Sequence, residues 1–134
     1  MPRKTDANNP ADWLWISTSD LAGVCALVAA ELSHEMCRSK LAEILEKVIK
    51  AELLRLGWAL VKTHDIIFLA KELQARQSDL AAEAQRLSTL LADAYLLDRY
   101  PGFDLDDPDW PALRTQSEKV AALLAAVQAR VGGA

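Results

Sequence analysis

The stretch HEMCRSKLAEILEKVIKAELLRLGWALVKTHD, residues 34–65, decides how the chain folds. On a helical wheel of about 100° per residue, its apolar side chains fill one continuous arc of roughly 200°. These side chains are Leu41, Ile44, Leu45, Val48, Ile49, Ala51, Leu53 and Leu56. An arc this wide predicts a central helix packed against two or three neighbours. Gly57 predicts its end, because glycine adopts the left-handed C′ conformation at little cost.

The opposite face of this helix carries the charged residues Glu43, Glu46, Lys47 and Lys50. Two acid-before-base pairs, Glu43 with Lys47 and Glu46 with Lys50, are four residues apart, a spacing that stabilises an exposed helix. We therefore expect a solvated, charged face. The alternative is that Lys47 and Lys50 form a basic strip together with Lys62.

Glu52 and Arg55 interrupt the apolar arc near its end. Their spacing predicts an ion pair whose stems pack on the bundle while the charged groups reach water. The alternative is a partly buried acid with a disturbed pKa, which would mark a functional cleft.

A first helix is predicted before the central one, because Asn9 followed by Pro10 is a favourable cap and first-turn pair. This helix should run to about Ser33. Its buried stripe is expected to be Leu14, Leu21, Val24, Cys25, Val28 and Leu32. A different side carries Trp15 and the small residues Ala22, Ala26 and Ala29, which allow close helix approach inside the bundle or across a dimer interface.

Three more helices are predicted after the central one. Thr63 is the expected N-cap of the third, with His64 and Asp65 in its first turn, and this helix should end near Gln77. Ser78 or Asp79 is expected to cap the fourth. The segment RYPGFDLDDPDWP, residues 99–111, is rich in proline and aspartate and predicts a loop, after which the last helix runs to about residue 131. The predicted fold is an all-α, antiparallel up-and-down bundle of four to five helices in one domain, residues 10–134, after a flexible segment, residues 1–9.

Composition supports this class and excludes others. Half of the residues are hydrophobic (51%), mainly Ala, Leu and Val, and only 6% are aromatic. The longest nearly uncharged stretch, residues 21–30, is too short to span a bilayer, and we expect a cytoplasmic protein without a membrane partner. Cys25 and Cys37 lack CxxC spacing, so we expect two reduced thiols and no metal site. The formal charge of -4 argues against non-specific nucleic-acid binding, and no DNA partner is expected.

Several short motifs then occur in an order that resembles the HEPN domain family. They are DWL at residues 12–14, SDL at 19–21, EKVIKA at 46–51, KTHD at 62–65 and RYPG at 99–102. The resemblance covers roughly residues 11 to 130. It implies a bundle that commonly forms a homodimer and often has a nucleotidyltransferase partner in a toxin–antitoxin-like pair. It also implies nucleotide binding or metal-independent RNA cleavage.

The chain departs from the nuclease members of that family. Those members use an arginine followed, after four to six residues, by a histidine, and no arginine precedes His34 or His64 at that spacing. The usual glutamines before the EK motif are replaced by Ala42 and Glu43. We therefore expect a non-catalytic or weakly active protein that binds a nucleotide or RNA phosphate. The alternatives are an RNase toxin with a rearranged arginine–histidine pair and a purely structural scaffold protein.

The candidate binding residues come from the KTHD and RYPG motifs. They are Lys62, Thr63, His64, Asp65, Arg99 and Tyr100, with Lys47, Lys50, Glu52 and Arg55 as secondary candidates. An imidazole can contact a phosphate, and the free N–H groups of a helix first turn favour an anion. Arg99 and Tyr100 offer a guanidinium fork and a stacking ring. The structural alternatives are that His64 caps the turn, Arg99 neutralises nearby aspartates and Tyr100 anchors the loop. No cofactor is expected.

Overall fold

The computed structural model describes residues 4–94, 101–102 and 107–131. This part of the chain forms five helices and no strand. The helices are α1 Pro10–Ala29, α2 His34–Arg55, α3 Ile66–Ala75, α4 Ala81–Leu91 and α5 Trp110–Val131. The predicted all-α class and the order of the helices are confirmed. No helix within the described ranges combines the length and apolarity that crossing a bilayer requires.

Helix α2 is the centre of the bundle and packs against each of the other four helices. Its predicted apolar arc is buried from Leu41 to Leu53, and only Leu56, the residue after the helix, is partly exposed. The prediction of a central helix is therefore confirmed. The helix is more enclosed than expected, because α1, α3, α4 and α5 surround it.

The end of α2 has the predicted glycine stop. Gly57 has a φ of 90°, and the N–H of Trp58 donates to the carbonyl of Leu53 at 3.0 Å, which closes the helix in a Schellman motif. The same closure ends α3, where Gln77 takes the left-handed conformation with a φ of 57°. This position shows that a hydrogen-bonded helix end can hold a residue other than glycine in the left-handed region.

Helix α1 ends earlier than predicted, at Ala29, and Glu31 takes the left-handed conformation after it. Leu32 therefore lies beyond the helix, where helical periodicity no longer governs its direction, and its side chain is exposed. Cys25 is also exposed. The expected places of these two residues in the buried stripe are wrong, whereas Leu14, Leu21, Val24 and Val28 are buried as predicted.

The start of α3 differs from the prediction in a way that matters for His64. The N-cap is Asp65, whose Oδ1 accepts a hydrogen bond from the N–H of Phe68 at 3.0 Å. Thr63 instead accepts from the N–H of Asp65 through its Oγ1 at 3.1 Å. His64 consequently precedes the helix and does not lie in its first turn.

A polar side chain also supports the start of α1 and of α4. Asn9 caps α1 as predicted, because its Oδ1 accepts from the N–H of Ala11 at 3.0 Å. The N-cap position of α4 is Leu80, not Ser78 or Asp79 as predicted. Ser78 still supports this start by accepting from the N–H of Leu80 at 3.2 Å. Within the predicted loop, the described residues 101–102 and 107–109 are non-helical.

The connection between α2 and α3, residues 56–65, runs back along α2. Its last residues reach Glu46, which lies nine residues before the end of α2, or about 13 Å along the helix axis. Helix α3 therefore starts beside the middle of α2. The hydroxyl of Ser88 donates to the carbonyl of Ile66 at 3.2 Å and holds this start against α4.

Candidate functional site

Three elements bring Trp13, Glu46, Lys50 and His64 together, and we call these four residues the Glu46 cluster. Oε2 of Glu46 accepts from Nζ of Lys50 at 2.8 Å, and Oε1 lies 2.9 Å from Nδ1 of His64. Nζ of Lys50 lies 5.2 Å from the centroid of the Trp13 ring, within the range of a cation–π interaction. The side chains come from α1, α2 and the connection before α3.

Burial changes sharply across this cluster. The side chains of Glu46 and Lys50 are only 9% and 5% exposed, whereas that of His64 is 70% exposed. The predicted ion pair between Glu46 and Lys50 is confirmed, but its predicted place on a solvated face is wrong. The connection that carries His64 reaches Glu46, and the Trp13 ring of α1 lies beside the ammonium group of Lys50.

The start of α1 fixes the position of Trp13. Its Nε1 donates to the carbonyl of Ala7 at 2.7 Å. The neighbouring residue Asp12 is buried, and its Oδ2 accepts from the N–H of Asp6 at 2.9 Å. Sequence reasoning did not predict Trp13 as part of a site. The available signal was its place in the DWL motif, which now lies beside the EK motif.

The carboxylate of Glu46 orients the imidazole of His64. A carboxylate that accepts the Nδ1 proton fixes the direction of the ring and directs its other nitrogen away from the carboxylate. With a protonated imidazole, Glu46 (−1), Lys50 (+1) and His64 (+1) together carry a net charge of +1. When it is protonated, this exposed ring of fixed orientation is suited to contact an anion.

The other residues of the KTHD motif have separate roles. Lys62 is exposed and has no ion-pair partner among the described residues. Thr63 and Asp65 form hydrogen bonds at the start of α3. Because Asp65 caps this helix, one of its first-turn N–H groups, that of Phe68, is already bonded within the protein. Arg99 and Tyr100 lie outside the described residues, and so does their predicted meeting with His64.

The lysines of α2 do not form the expected basic strip. Lys47 makes an ion pair with Asp20 of α1 at 2.9 Å, while Lys50 points its ammonium group into the Glu46 cluster. Glu43 pairs with Lys40, three residues earlier, at 2.7 Å. Lys47 and Lys50 are each paired with an acid, so only Lys62 of the three candidate lysines is exposed without an ion pair in the described part of the chain.

Glu52 forms a second polar cluster, in the last turn of α2. Its side chain is 1% exposed, and its carboxylate accepts from Arg55 at 2.6 Å, from Arg130 at 2.9 Å and from Ser78 at 3.1 Å. The predicted pair with Arg55 is confirmed, but the expectation that the carboxylate reaches water is wrong. Arg130 also contacts Asp79 at 2.7 Å, so the cluster joins α2, the start of α4 and the end of α5.

The electrostatics of Glu52 indicate a structural role. Burial alone would raise the pKa of this carboxyl, but the hydrogen bond and charge of Arg55, together with Ser78 and Arg130, lower it further than burial raises it. The carboxylate is therefore ionised at neutral pH, with its oxygens occupied by protein donors. Such a group is poorly placed to exchange protons with a ligand. Within the described ranges, no group of three or more His, Cys, Asp and Glu residues is placed to hold a metal ion.

The helical bundle brings residues of the DWL, EK and KTHD motifs, through which the sequence resembles the HEPN family, into one cluster. The sequence model of the HEPN domain family matches residues 11–128, and the chain belongs to this family. No curated protein and no solved structure matched the chain.

Proposed function

We propose that this HEPN protein binds a phosphate group of a nucleotide or RNA at His64 and acts as a non-catalytic or weakly active binding partner. The observation that carries the proposal is the exposed imidazole of His64, hydrogen-bonded to the buried pair of Glu46 and Lys50. Lys62, two residues before His64, adds an exposed cation to the same segment.

The energetics of the buried pair support a role beyond stability. Burying an ion pair costs desolvation energy, and well-packed apolar residues of similar volume often stabilise a helix equally well or better. Glu46 and Lys50 are nevertheless buried in the central helix, where a leucine and a methionine would satisfy the packing. Orientation of His64 gives these two charges a function that apolar residues cannot supply.

Calorimetric titration of the purified chain with UMP, ATP and a short RNA tests this function. We expect wild type and Lys119→Ala, which removes one exposed cation from α5, to bind with similar affinity. We expect His64→Ala to lose most of that affinity and Glu46→Gln to lose part of it. A thermal shift gives a second readout, because ligand at 100 times its dissociation constant stabilises the native state by about 2.7 kcal/mol. Equal binding by His64→Ala and wild type would contradict the proposal.

The family resemblance adds a nucleotidyltransferase partner in a toxin–antitoxin-like pair to this proposal. Purification of the tagged chain from its native cells, followed by mass spectrometry, tests the partner. Retention of a nucleotidyltransferase by wild type would support it, and its absence at native expression levels would contradict it.

Incubation of the chain with cellular RNA tests the enzymatic alternative: cleavage that His64→Ala abolishes would establish an RNase and overturn the non-catalytic assignment.

A second candidate function, self-association as a homodimer, is favoured by the outer face of α1. None of the exposed residues of this 20-residue helix is charged, and Trp15 is 52% exposed. Trp15 lines a groove of about 500 Å³ together with Thr18 of α1 and Gln128 and Val131 of α5. Exposed apolar patches that lack charge are typical of protein interfaces.

Light scattering coupled to size-exclusion chromatography tests the dimer. We expect wild type to have twice the mass of the chain and Trp15→Lys to be a monomer. Leu90→Lys is the matched control, because Leu90 is also an exposed apolar residue but lies on α4. A monomeric wild type, or a dimer that Trp15→Lys leaves intact, would exclude the outer face of α1 as a dimer interface.

A further inference from the structure

The outer side of α3 and the segment leading into it present an unusual combination of side chains. Three apolar residues on this side, Val61, Ile67 and Phe68, are exposed, Phe68 to 38%. Lys62, His64 and Lys71 are exposed on the same short stretch of chain. We call these six residues the α3 face. The opposite side of α3, with Ile66, Leu69, Ala70 and Leu73, is buried against the bundle.

Helical spacing places Lys71 beside the aromatic ring of Phe68, and Lys62 and His64 lie in the segment that leads into the helix. Lys71 follows Phe68 by three residues and Ile67 by four, so it is a surface neighbour of both. Neither Lys62 nor Lys71 makes an ion pair with another described residue. Asp65 is the acid nearest to Phe68 in the sequence, and its carboxylate is bonded to the N–H of Phe68. The next acid, Glu72, is paired with Arg76 at 2.7 Å.

The charge of this face differs from that of the whole chain. The protein has a formal charge of -4, yet the α3 face carries an exposed ring, an imidazole and two lysines that make no ion pair within the described part of the chain. The net charge of the chain repels a polyanion, whereas the cations of this face attract it. An apolar protein partner would gain from Phe68 and Ile67 but would have to cover the lysines without pairing them.

We propose that the α3 face binds single-stranded nucleic acid, with one base stacked on Phe68 and backbone phosphates beside His64 and Lys71. This inference rests on the proposed phosphate site at His64 and extends it from one nucleotide to a strand. Within α3, the five steps from Ile66 to Lys71 rise about 7.5 Å, which matches about two stacked nucleotides, and His64 lies just before this helix. Aromatic platforms flanked by cations bind single strands with little sequence preference, because every base has a π-face.

Fluorescence anisotropy with labelled ten-nucleotide oligo-U and oligo-dT tests the inference. Phe68→Leu keeps an apolar side chain and removes the ring, and we expect it to weaken binding of the oligonucleotides by about 5- to 150-fold, the range for one base–aromatic stack. Lys71→Ala should weaken binding and reduce its dependence on salt. Lys119→Ala, on α5, should leave both properties unchanged. Melting temperatures of all variants establish that each is folded.

Pyrophosphate separates this inference from the function on which it rests. We expect Phe68→Leu to bind pyrophosphate as wild type does, whereas His64→Ala does not. If pyrophosphate binds but the oligonucleotides do not, or if Phe68→Leu binds them as tightly as wild type, strand binding by the α3 face is overturned and the phosphate site at His64 stands. If a base-paired duplex binds as tightly as a single strand, the proposed stacking of a base on Phe68 is also overturned. If neither pyrophosphate nor oligonucleotide binds, both proposals fail.

Discussion

Nδ1 of His64 lies 2.9 Å from Oε1 of Glu46, although the two residues are 18 positions apart and only His64 is exposed. This contact forms because the connection after α2 turns back along the helix that it has just left. The EK and KTHD motifs therefore belong to one structural unit. The exposed His64 ring is hydrogen-bonded to the buried ion pair of Glu46 and Lys50.

The charges of Glu46 and Lys50 should be coupled in the unfolding free energy. Lys50→Met leaves the buried Glu46 carboxylate without its cation and should lower the unfolding free energy by about 3 kcal/mol. Glu46→Gln should also destabilise the protein. The double variant should lose about 1–3 kcal/mol less than the sum of the single losses, because neither charge then remains alone. Urea denaturation at pH 7 measures these values, and strictly additive losses would show that the pair is not coupled.

In the last turn of α2, Glu52 should contribute more to stability than Asp79, the other acid of its cluster. Its carboxylate is buried and accepts four hydrogen bonds, two from Arg55, one from Arg130 and one from Ser78. Glu52→Gln should lower the unfolding free energy by about 2 kcal/mol, the scale of a hydrogen bond to a charged group. Asp79→Asn is the control, because Asp79 contacts the same Arg130 but is exposed, and its loss should be much smaller. Equal losses in the two variants would contradict the larger contribution of Glu52 to stability.

The pKa of Glu52 predicts acid sensitivity. The folded-state pKa is lowered despite burial, because Arg55, Ser78 and Arg130 stabilise the ionised form. Arg130 also lowers the pKa of Asp79. A lowered folded pKa gives stability that is fully present above the unfolded value of about 4.3 and is lost as the pH falls through the folded value.

The unfolding free energy of wild type should therefore decrease below about pH 4.3, and Glu52→Gln should show a shallower decrease. Urea unfolding at a series of pH values from 7 to 3 measures both slopes. Parallel slopes in wild type and variant would show that Glu52 does not contribute to the acid transition.

The two thiols should react at very different rates. Cys25 is exposed on α1, whereas Cys37 is fully buried in α2, and burial raises the pKa of the Cys37 thiol. A raised pKa keeps this thiol protonated and poorly nucleophilic. A colorimetric thiol reagent at pH 8 should label one cysteine rapidly in the native protein and the second only in denaturant. Labelling of both thiols at the same rate, or of Cys37 before Cys25, would contradict the packing of α1 on α2.

Local signals in the sequence predicted much of the fold. Asn9 before Pro10 and Gly57 after the apolar arc each determine a helix boundary through contacts within a few residues, which a sequence pattern can show. The cap of α3 was missed by two positions. Thr63 and Asp65 are both acceptable caps, and only the three-dimensional path shows that the carboxylate of Asp65 reaches the N–H of Phe68.

The candidate site was predicted only in part, because burial depends on which element covers a helix face. Glu46 and Lys50 have the spacing of an exposed helical pair, and nothing within α2 shows that the connection and Trp13 lie over them. His64 was predicted as a candidate from its motif, but its bond to Glu46 depends on the path of ten residues between two helices. The binding roles of Arg99 and Tyr100 stay predictions, because both residues lie outside the described part of the chain.

The phosphate site at His64 is tested most directly by NMR of ¹⁵N-histidine-labelled protein during titration with UMP. The chain has two histidines, and His34 is an internal control because its side chain is 10% exposed and its Nδ1 lies 2.6 Å from Glu35. We predict that the ring nitrogens of His64 shift in a saturable manner while those of His34 do not, and that Glu46→Gln weakens this response. Unchanged His64 resonances at millimolar UMP, or equal shifts at both histidines, would contradict a phosphate site at His64.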